Sequence, residues 1–134
     1  MLDTNTASYI IKGKPAVIRK RLQKVPMSTI CISSITEAEL LRGVARKPQA
    51  KHLAIVVNEF LLRVEILAWD SDAANAYAQL RTTCENEGKS PGNMDMLIAA
   101  HSLAVEAILV TNDNAFYNVK HHLILKDWSL PLED

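Results

Sequence analysis

An α/β fold with a central, mostly parallel sheet of four to five strands is the architecture that this sequence predicts, and three observations carry the prediction. Short apolar runs rich in β-branched residues alternate with longer runs of helical period, which is the pattern of βαβ units. Apolar residues make up 49% of the 134 positions, enough to fill the core of one domain spanning residues 1–134. Only four glycines and five prolines interrupt the pattern, so helices can run unbroken between strands.

The elements follow in order. Met1–Asp3 reads as a first strand. Thr4 to about Gly13 reads as a helix, and about Pro15 to Lys24 as a second, basic one. Thr29–Ser33 supplies a second strand. Ser34-Ile35-Thr36-Glu37 has capping-box spacing and opens a helix to about Arg46, with Ile35, Ala38, Leu41 and Ala45 as its expected inward stripe. Pro48 is expected to start the next helix, with an apolar stripe at Leu53, Val56, Val57, Phe60 and Leu61. Val64–Ala68 is the third strand. Asp70 or Asp72 caps a helix running to about Glu87, where Gly88 stops it. After a loop over 89–92, Asn93–Val105 reads as a helix apolar nearly all round, and therefore buried. Ala107–Val110 and Leu123–Leu125 complete the strands.

Composition excludes several classes. No run reaches the roughly 18 apolar residues of a membrane span, and the opening residues lack the pattern of a signal peptide, so a cytoplasmic chain is expected. Cys31 and Cys84 have no close spacing and read as packing residues. Formal charge is zero but unevenly spread. Residues 1–51 hold ten Lys/Arg against three acids, and 52–134 hold five against twelve. Lys12, Lys14, Arg19, Lys20, Arg21 and Lys24 fall in a stretch without any acid, which suits either a solvated face or a lip for phosphates.

In open parallel sheets, ligands bind beyond the carboxyl ends of the strands. Asp3 ends the first strand and Asp113 follows the fourth, although either could serve only as a cap. Glu39 lies close to the inward stripe of its helix, and Asp95 in the first turn of the buried one. Two carboxylates about 4 Å apart repel by roughly 4 kcal/mol at an effective dielectric near 20. Converging acids therefore need a shared proton or a cation, and oxygen-only donors select Mg²⁺ or Mn²⁺ over zinc. His121-His122 is set aside as a ligand pair, because neighbours on a strand point to opposite faces. His101 reads as a satisfied core histidine. Gly88-Lys89-Ser90 imitates the end of a phosphate-binding loop, but Thr83 stands where its first glycine is required.

Four segments together resemble the PIN domains of VapC-type toxins. They are Met1-Leu2-Asp3-Thr4-Asn5; Ile32 to Leu40, closed by Gly43; Asp95 to His101; and Val110 to Phe116. Lys126-Asp127-Trp128 resembles the family's ending. The resemblance implies a three-layer α/β/α fold, with Asp3, Asp95 and Asp113 as metal ligands and Glu39, rather than Glu37, as the remaining catalytic acid. It implies a Mg²⁺-dependent endoribonuclease, Mn²⁺ substituting, with tRNA as substrate and the initiator tRNA anticodon stem-loop as the expected target. It also implies a homodimer and a VapB-like antitoxin. Candidate substrate contacts are Asn5 and Thr111 in the motifs, and Arg19 and Arg21 in the basic stretch. Two departures stand out. Relatives read Gly-x-Pro-Ile-Gly before the third acid, where this chain has Gly88-Lys89-Ser90-Pro91-Gly92, and many have Asn at the position of Asp113. The acids alone leave two alternatives open: a structure-specific DNA nuclease, and a PIN-like module that binds RNA or a partner without cutting.

Overall fold

The computed structural model describes residues 1–131; the expected domain extends three positions further. Strand β1 (Cys31–Ser33) pairs in parallel with β2 (Glu65–Leu67), and β3 (Leu109–Val110) in parallel with β4 (Leu125–Lys126). Met1–Asp3 joins the two pairs. Leu2 N donates to Cys31 O, Val110 N to Met1 O, and Asp3 N to Val110 O. The spatial order is therefore β2, β1, Met1–Asp3, β3, β4.

The helices are α1 (Thr4–Lys12), α2 (Ala16–Gln23), α3 (Ser34–Ala45), α4 (Lys51–Arg63), α5 (Ser71–Asn86), α6 (Asn93–Ala104) and α7 (Asn114–Tyr117). Their layering follows from the alternation of side chains along strands. Leu2, Ile32 and Val110 join a core cluster with Ala7, Ile18, Leu40, Val57 and Phe60 of α1–α4. Met1 and Leu109, their chain neighbours, join the opposite cluster with Leu80, Cys84, Met96, Ile98 and Phe116 of α5–α7. The sheet thus lies between two helical layers, which is the α/β/α arrangement expected. No described helix is long and apolar enough to cross a membrane.

Local chemistry sets most boundaries where the sequence places them. Gly13 and Gly88, both at φ 71°, close α1 and the turn after α5 in the left-handed region that glycine tolerates. Asp70, not Asp72, caps α5, accepting from Ala73 N at 3.1 Å. Cys84 is fully buried and both cysteines are free thiols. His101 is buried, with Nδ1 2.7 Å from Ser33 Oγ, and burial pushes its pKa down.

Several expectations need correction. The residues before β1 form a 3-10 turn (Met27–Thr29), because Thr29 Oγ1 and N both return to Pro26 O. Pro48 precedes a turn closed by Ala50 N on Lys47 O, so α4 starts three residues later than expected. The cap of α3 is Ser33, whose hydroxyl accepts from Ile35 N, while Ser34 Oγ accepts from Trp69 N. The capping box at Ser34–Glu37 is therefore not formed. The inward stripe of α3 is also rotated from the expected one: Thr36 and Leu40 are buried, whereas Ala38, Leu41 and Ala45 are exposed. Finally, Lys120–His122 is a 3-10 turn, closed by Leu123 N on Lys120 O, which delays β4 to Leu125. His121 and His122 are thus not strand neighbours, and the reason for setting them aside fails.

Candidate active site

Asp3 leaves the middle of the sheet and begins α1. Its Oδ1 accepts from Thr6 N at 2.8 Å, capping the helix, and its Oδ2 accepts from the Thr111 hydroxyl at 2.5 Å. Thr6 Oγ1 donates to Val110 O, so the cap is tied to the end of β3. Asp3 is only 3% exposed. Burial raises its pKa, the hydrogen bonds from Thr111 and Thr6 oppose that rise, and the charge of Asp113 adds to it.

Asp113 follows β3 by the same logic. Its backbone N donates to Thr111 Oγ1, and its Oδ1 caps α7 by accepting from Ala115 N at 2.9 Å. Each of these strand-end acids is a helix cap, and each also bears electrostatically on the other acids. On α3, Glu39 is half-buried and its Oε1 accepts from Thr4 Oγ1 at 2.6 Å. The actual stripe, Thr36 and Leu40, still turns Glu39 toward α1 and its Thr4, although the helix is phased differently from the expected one.

Asp95 stands in the first turn of α6, half-buried. Its pKa is pushed up to about 6, first by burial and then by the charges of Asp113, Glu39 and Asp3. The four acids from α1's cap, α3, α6 and α7's cap therefore share one field. Arg81 secures the entry to α6: it donates to Pro91 O at 3.4 Å and to Asn93 Oδ1, and lies 5.6 Å over the Tyr77 ring. The loop that departs from the family pattern is thereby anchored to α5.

The other candidates divide. Thr111 is wholly buried at 0% exposure between Asp3 and Asp113, its hydroxyl donating to the first and accepting from the backbone N of the second. Asn5 is exposed in the first turn of α1. Arg19 is exposed on α2, and Arg21 binds the carbonyls of Leu130 and Pro131 through Nε and Nη2. The basic groups beside the acids are different ones. A groove of about 360 Å³ is lined by Thr4, Ser8, Lys12, Glu39, Arg46 and Lys47, over an apolar floor that includes Leu53 and Val57. Arg46 and Lys47 were not singled out from the sequence. The signal was their position about two helical turns beyond Glu39, just past the end of α3 and on the same side, which a charge count does not weigh.

An all-oxygen acid cluster beyond the carboxyl ends of a parallel sheet defines a class of α/β protein whose site suits a hard divalent cation. The PIN domain model matches residues 1–122, and the chain belongs to the PIN-domain family, in its VapC branch. It is 37% identical over 129 residues to "Ribonuclease VapC2" of Rickettsia felis, covering 96% of each chain. It is 33% identical to the "tRNA(fMet)-specific endonuclease VapC" of Shigella flexneri, covering 96% of this chain and 97% of that one. Among solved structures, VapBC2 from Rickettsia felis bound to a promoter DNA fragment aligns with a TM-score of 0.87 over 96% of this chain and 97% of that chain. DNA-bound VapBC from Salmonella typhimurium aligns at 0.85, with 35% identity and 96% of each chain covered.

A second group of donors lies elsewhere. Glu87, His121 and His122 are the one set of three, among the described residues, whose donor atoms all fall within 4.8 Å of one another and could hold a metal ion. The acid quartet is more widely spaced than that.

Proposed function

We propose that the chain is a Mg²⁺-dependent endoribonuclease, the toxin of a VapBC-type pair, and that residues 1–134 act as a single PIN domain. One observation carries the reading: Asp95 is held at about 6 by burial together with three other acids. A partly buried field of four carboxylates needs neutralising, and hard oxygen donors fit Mg²⁺, with Mn²⁺ able to substitute. We assign Asp3, Asp95 and Asp113 as the residues that would hold it.

When bound, the cation supplies a Lewis acid that neutralises a phosphate oxygen and lowers the pKa of the attacking water. Glu39, oriented by the Thr4 hydroxyl, would be the residue to take up the proton of the attacking water. Thr111 and Thr6 hold Asp3 as an acceptor with both oxygens oriented. Lys12, Arg46 and Lys47 line the approach to Glu39 and suit the phosphates of an RNA strand. Asn5 remains a candidate contact on the exposed first turn of α1.

The relative named a tRNA(fMet)-specific endonuclease supports tRNA as substrate; the initiator anticodon stem-loop is the site that the family resemblance implies. The VapBC complexes among the structural neighbours support a VapB-like antitoxin as partner; a toxin homodimer is the assembly that the family resemblance implies. The test is incubation of the purified protein with a cellular RNA pool and with DNA of matching sequence, in Mg²⁺ and in EDTA, with new 5′ ends mapped. RNA cleavage that EDTA abolishes is expected. EDTA-resistant cleavage, or cleavage of the DNA alone, overturns the reading.

A further inference from the structure

Two histidines and a glutamate meet at the far edge of the loop that leads into α6. His121 Nε2 is 3.0 Å from both Glu87 oxygens, and His122 Nε2 is 2.8 Å from Oε1 and 3.3 Å from Oε2. The rings lie 3.8 Å apart at 46°. Donors held about 2 Å from one tetrahedral ion stand roughly 3.3 Å from each other, close to these separations.

The backbone on both sides is fixed before any ion arrives. Glu87 ends α5, with its N bonded to Thr83 O and Cys84 O, Gly88 N to Glu85 O, and Lys89 N to Cys84 O. The histidines ride a 3-10 turn between Val119 and Leu123, both buried anchors of the core. In a 3-10 turn neighbouring side chains are about 120° apart rather than on opposite faces as in a strand, so both imidazoles can reach one carboxylate. Glu87 and His121 are accessible, and His122 partly so, so an ion can enter from solvent.

We propose that Glu87, His121 and His122 form a metal site for a borderline-soft cation of the Zn²⁺ type, which ties the start of the α5–α6 loop to the segment following α7. Imidazole nitrogen with one carboxylate favours Zn²⁺ over the Mg²⁺ suited to the oxygen-only acids. Three protein donors leave a fourth position for water. The Lys89 ammonium, 4.0 Å from Glu87 Oε2, is the charge that the ion displaces. Directly after Glu87, Gly88 to Pro91 form one wall of a recess of about 320 Å³ that Ala115 and Asn118 line from the other side. The loop that the site ties down runs directly to Asp95, and the other wall, α7, begins directly after Asp113. The site stands independently of the nuclease reading.

The competing account of the same geometry is two N–H···O bonds from neutral imidazoles to one carboxylate. To separate them, the tag-free full chain is titrated with Zn²⁺ in excess Mg²⁺, by calorimetry and by thermal melting, with Co²⁺ as a spectroscopic probe. An Asp95→Asn background removes Zn²⁺ bound at the acid site. Expected are one Zn²⁺ per chain, a melting temperature that climbs with Zn²⁺, and amide-exchange protection over residues 88–92. Removing even a hydrogen bond behind a metal ligand costs roughly 10- to 100-fold in affinity, so His121→Ala and His122→Ala should each lose at least that. Glu87→Gln keeps the acceptor and the surface while weakening the site, which covers the case of a poorly folding histidine variant. Failure of the wild-type chain to bind Zn²⁺, or unchanged binding in the Glu87→Gln and His121→Ala variants, overturns the proposal, whatever RNA cleavage shows.

Discussion

The acid quartet and the Glu87–His121–His122 cluster sit at opposite ends of one loop and solve opposite problems. In the quartet like charges share a partly buried field, and both Asp3 and Asp95 are raised. In the cluster Glu87 faces two imidazoles, and their hydrogen bonds hold its carboxyl below its usual value. The cluster closes without help, its donors within 4.8 Å, while the quartet stands apart. A site held open by repulsion is poised to gain a hard cation, and a site closed by hydrogen bonds must exchange them for a metal. Preorganisation is therefore distributed differently: in the quartet it resides in the caps and threonines around the acids, in the cluster in the donors themselves.

The sharpest way to break this comparison is to neutralise the quartet. Asp3→Asn or Asp95→Asn should reduce Mg²⁺-dependent cleavage by about a thousandfold or more, a loss of several kcal/mol of transition-state stabilisation. The fold should persist, since Asn caps α1 nearly as well as Asp. Single-turnover cleavage beside a circular-dichroism melt measures both, and wild-type rates in either variant would remove that residue from the site.

Next comes pH. Asp95 keeps its proton up to about pH 6 when folded, against 3.8 when unfolded, so between those values the folded state binds more protons. In EDTA, stability should therefore fall as pH rises through that window, by at most about 3 kcal/mol, and stay lowered above it. Asp95→Asn should flatten the dependence, and so should Mg²⁺. Urea titrations across the window check this, and a stability that rises through it in EDTA contradicts the repulsive field.

The two glutamates of α3 sharpen the comparison further. Glu39→Gln should abolish cleavage with little change in melting temperature. Glu37, in the first turn but not in a capping box, should cost only about 0.3–1 kcal/mol on substitution by Gln, with activity kept. Loss of activity in Glu37→Gln alone would reverse the assignment.

The smallest effect concerns basic residues. Each phosphate contact contributes roughly 0.7 to the salt slope of single-strand binding. Lys12→Ala with Lys47→Ala should flatten that slope, measured in the Asp3→Asn background so that RNA survives. Arg19→Ala with Arg21→Ala should change it less, because Arg21 is engaged by Leu130 and Pro131. Equal slopes in both pairs would move the RNA path away from the groove beside Glu39.

Three of the four acids lie next to a boundary that local chemistry fixes, Asp3 and Asp113 as caps at strand ends and Asp95 at a helix start, while Glu39, in the middle of α3, was reached through helical spacing alone. The alternation of strands and helices in the sequence also carried the layer order, as Leu109 and Val110 enter opposite cores. Three things were not legible. The phase of α3 depends on which face meets α1 and α4, and Leu41 is as apolar as Leu40. The Ser33 cap depends on Ser34 being engaged by Trp69, a contact 35 residues away. The convergence of His121 and His122 depends on a 3-10 turn, and their sequence reads equally well as a strand.

The link between Leu2 and Val110 has a consequence for when the nuclease centre can exist. Asp3 and Thr111 are 108 residues apart and meet only through that pairing, while Asp95 and Asp113 depend on elements between and after them. Contacts of such separation form late, because the loop they close must be ordered first. A growing chain on the ribosome therefore carries Asp3 and Glu39 long before it can bring them to their partners. Activity should arise abruptly, once β3 has been made and taken its place beside Met1–Asp3. A fragment that ends before Val110 should carry none of it, so a chain cut short during synthesis is harmless to the RNA around it.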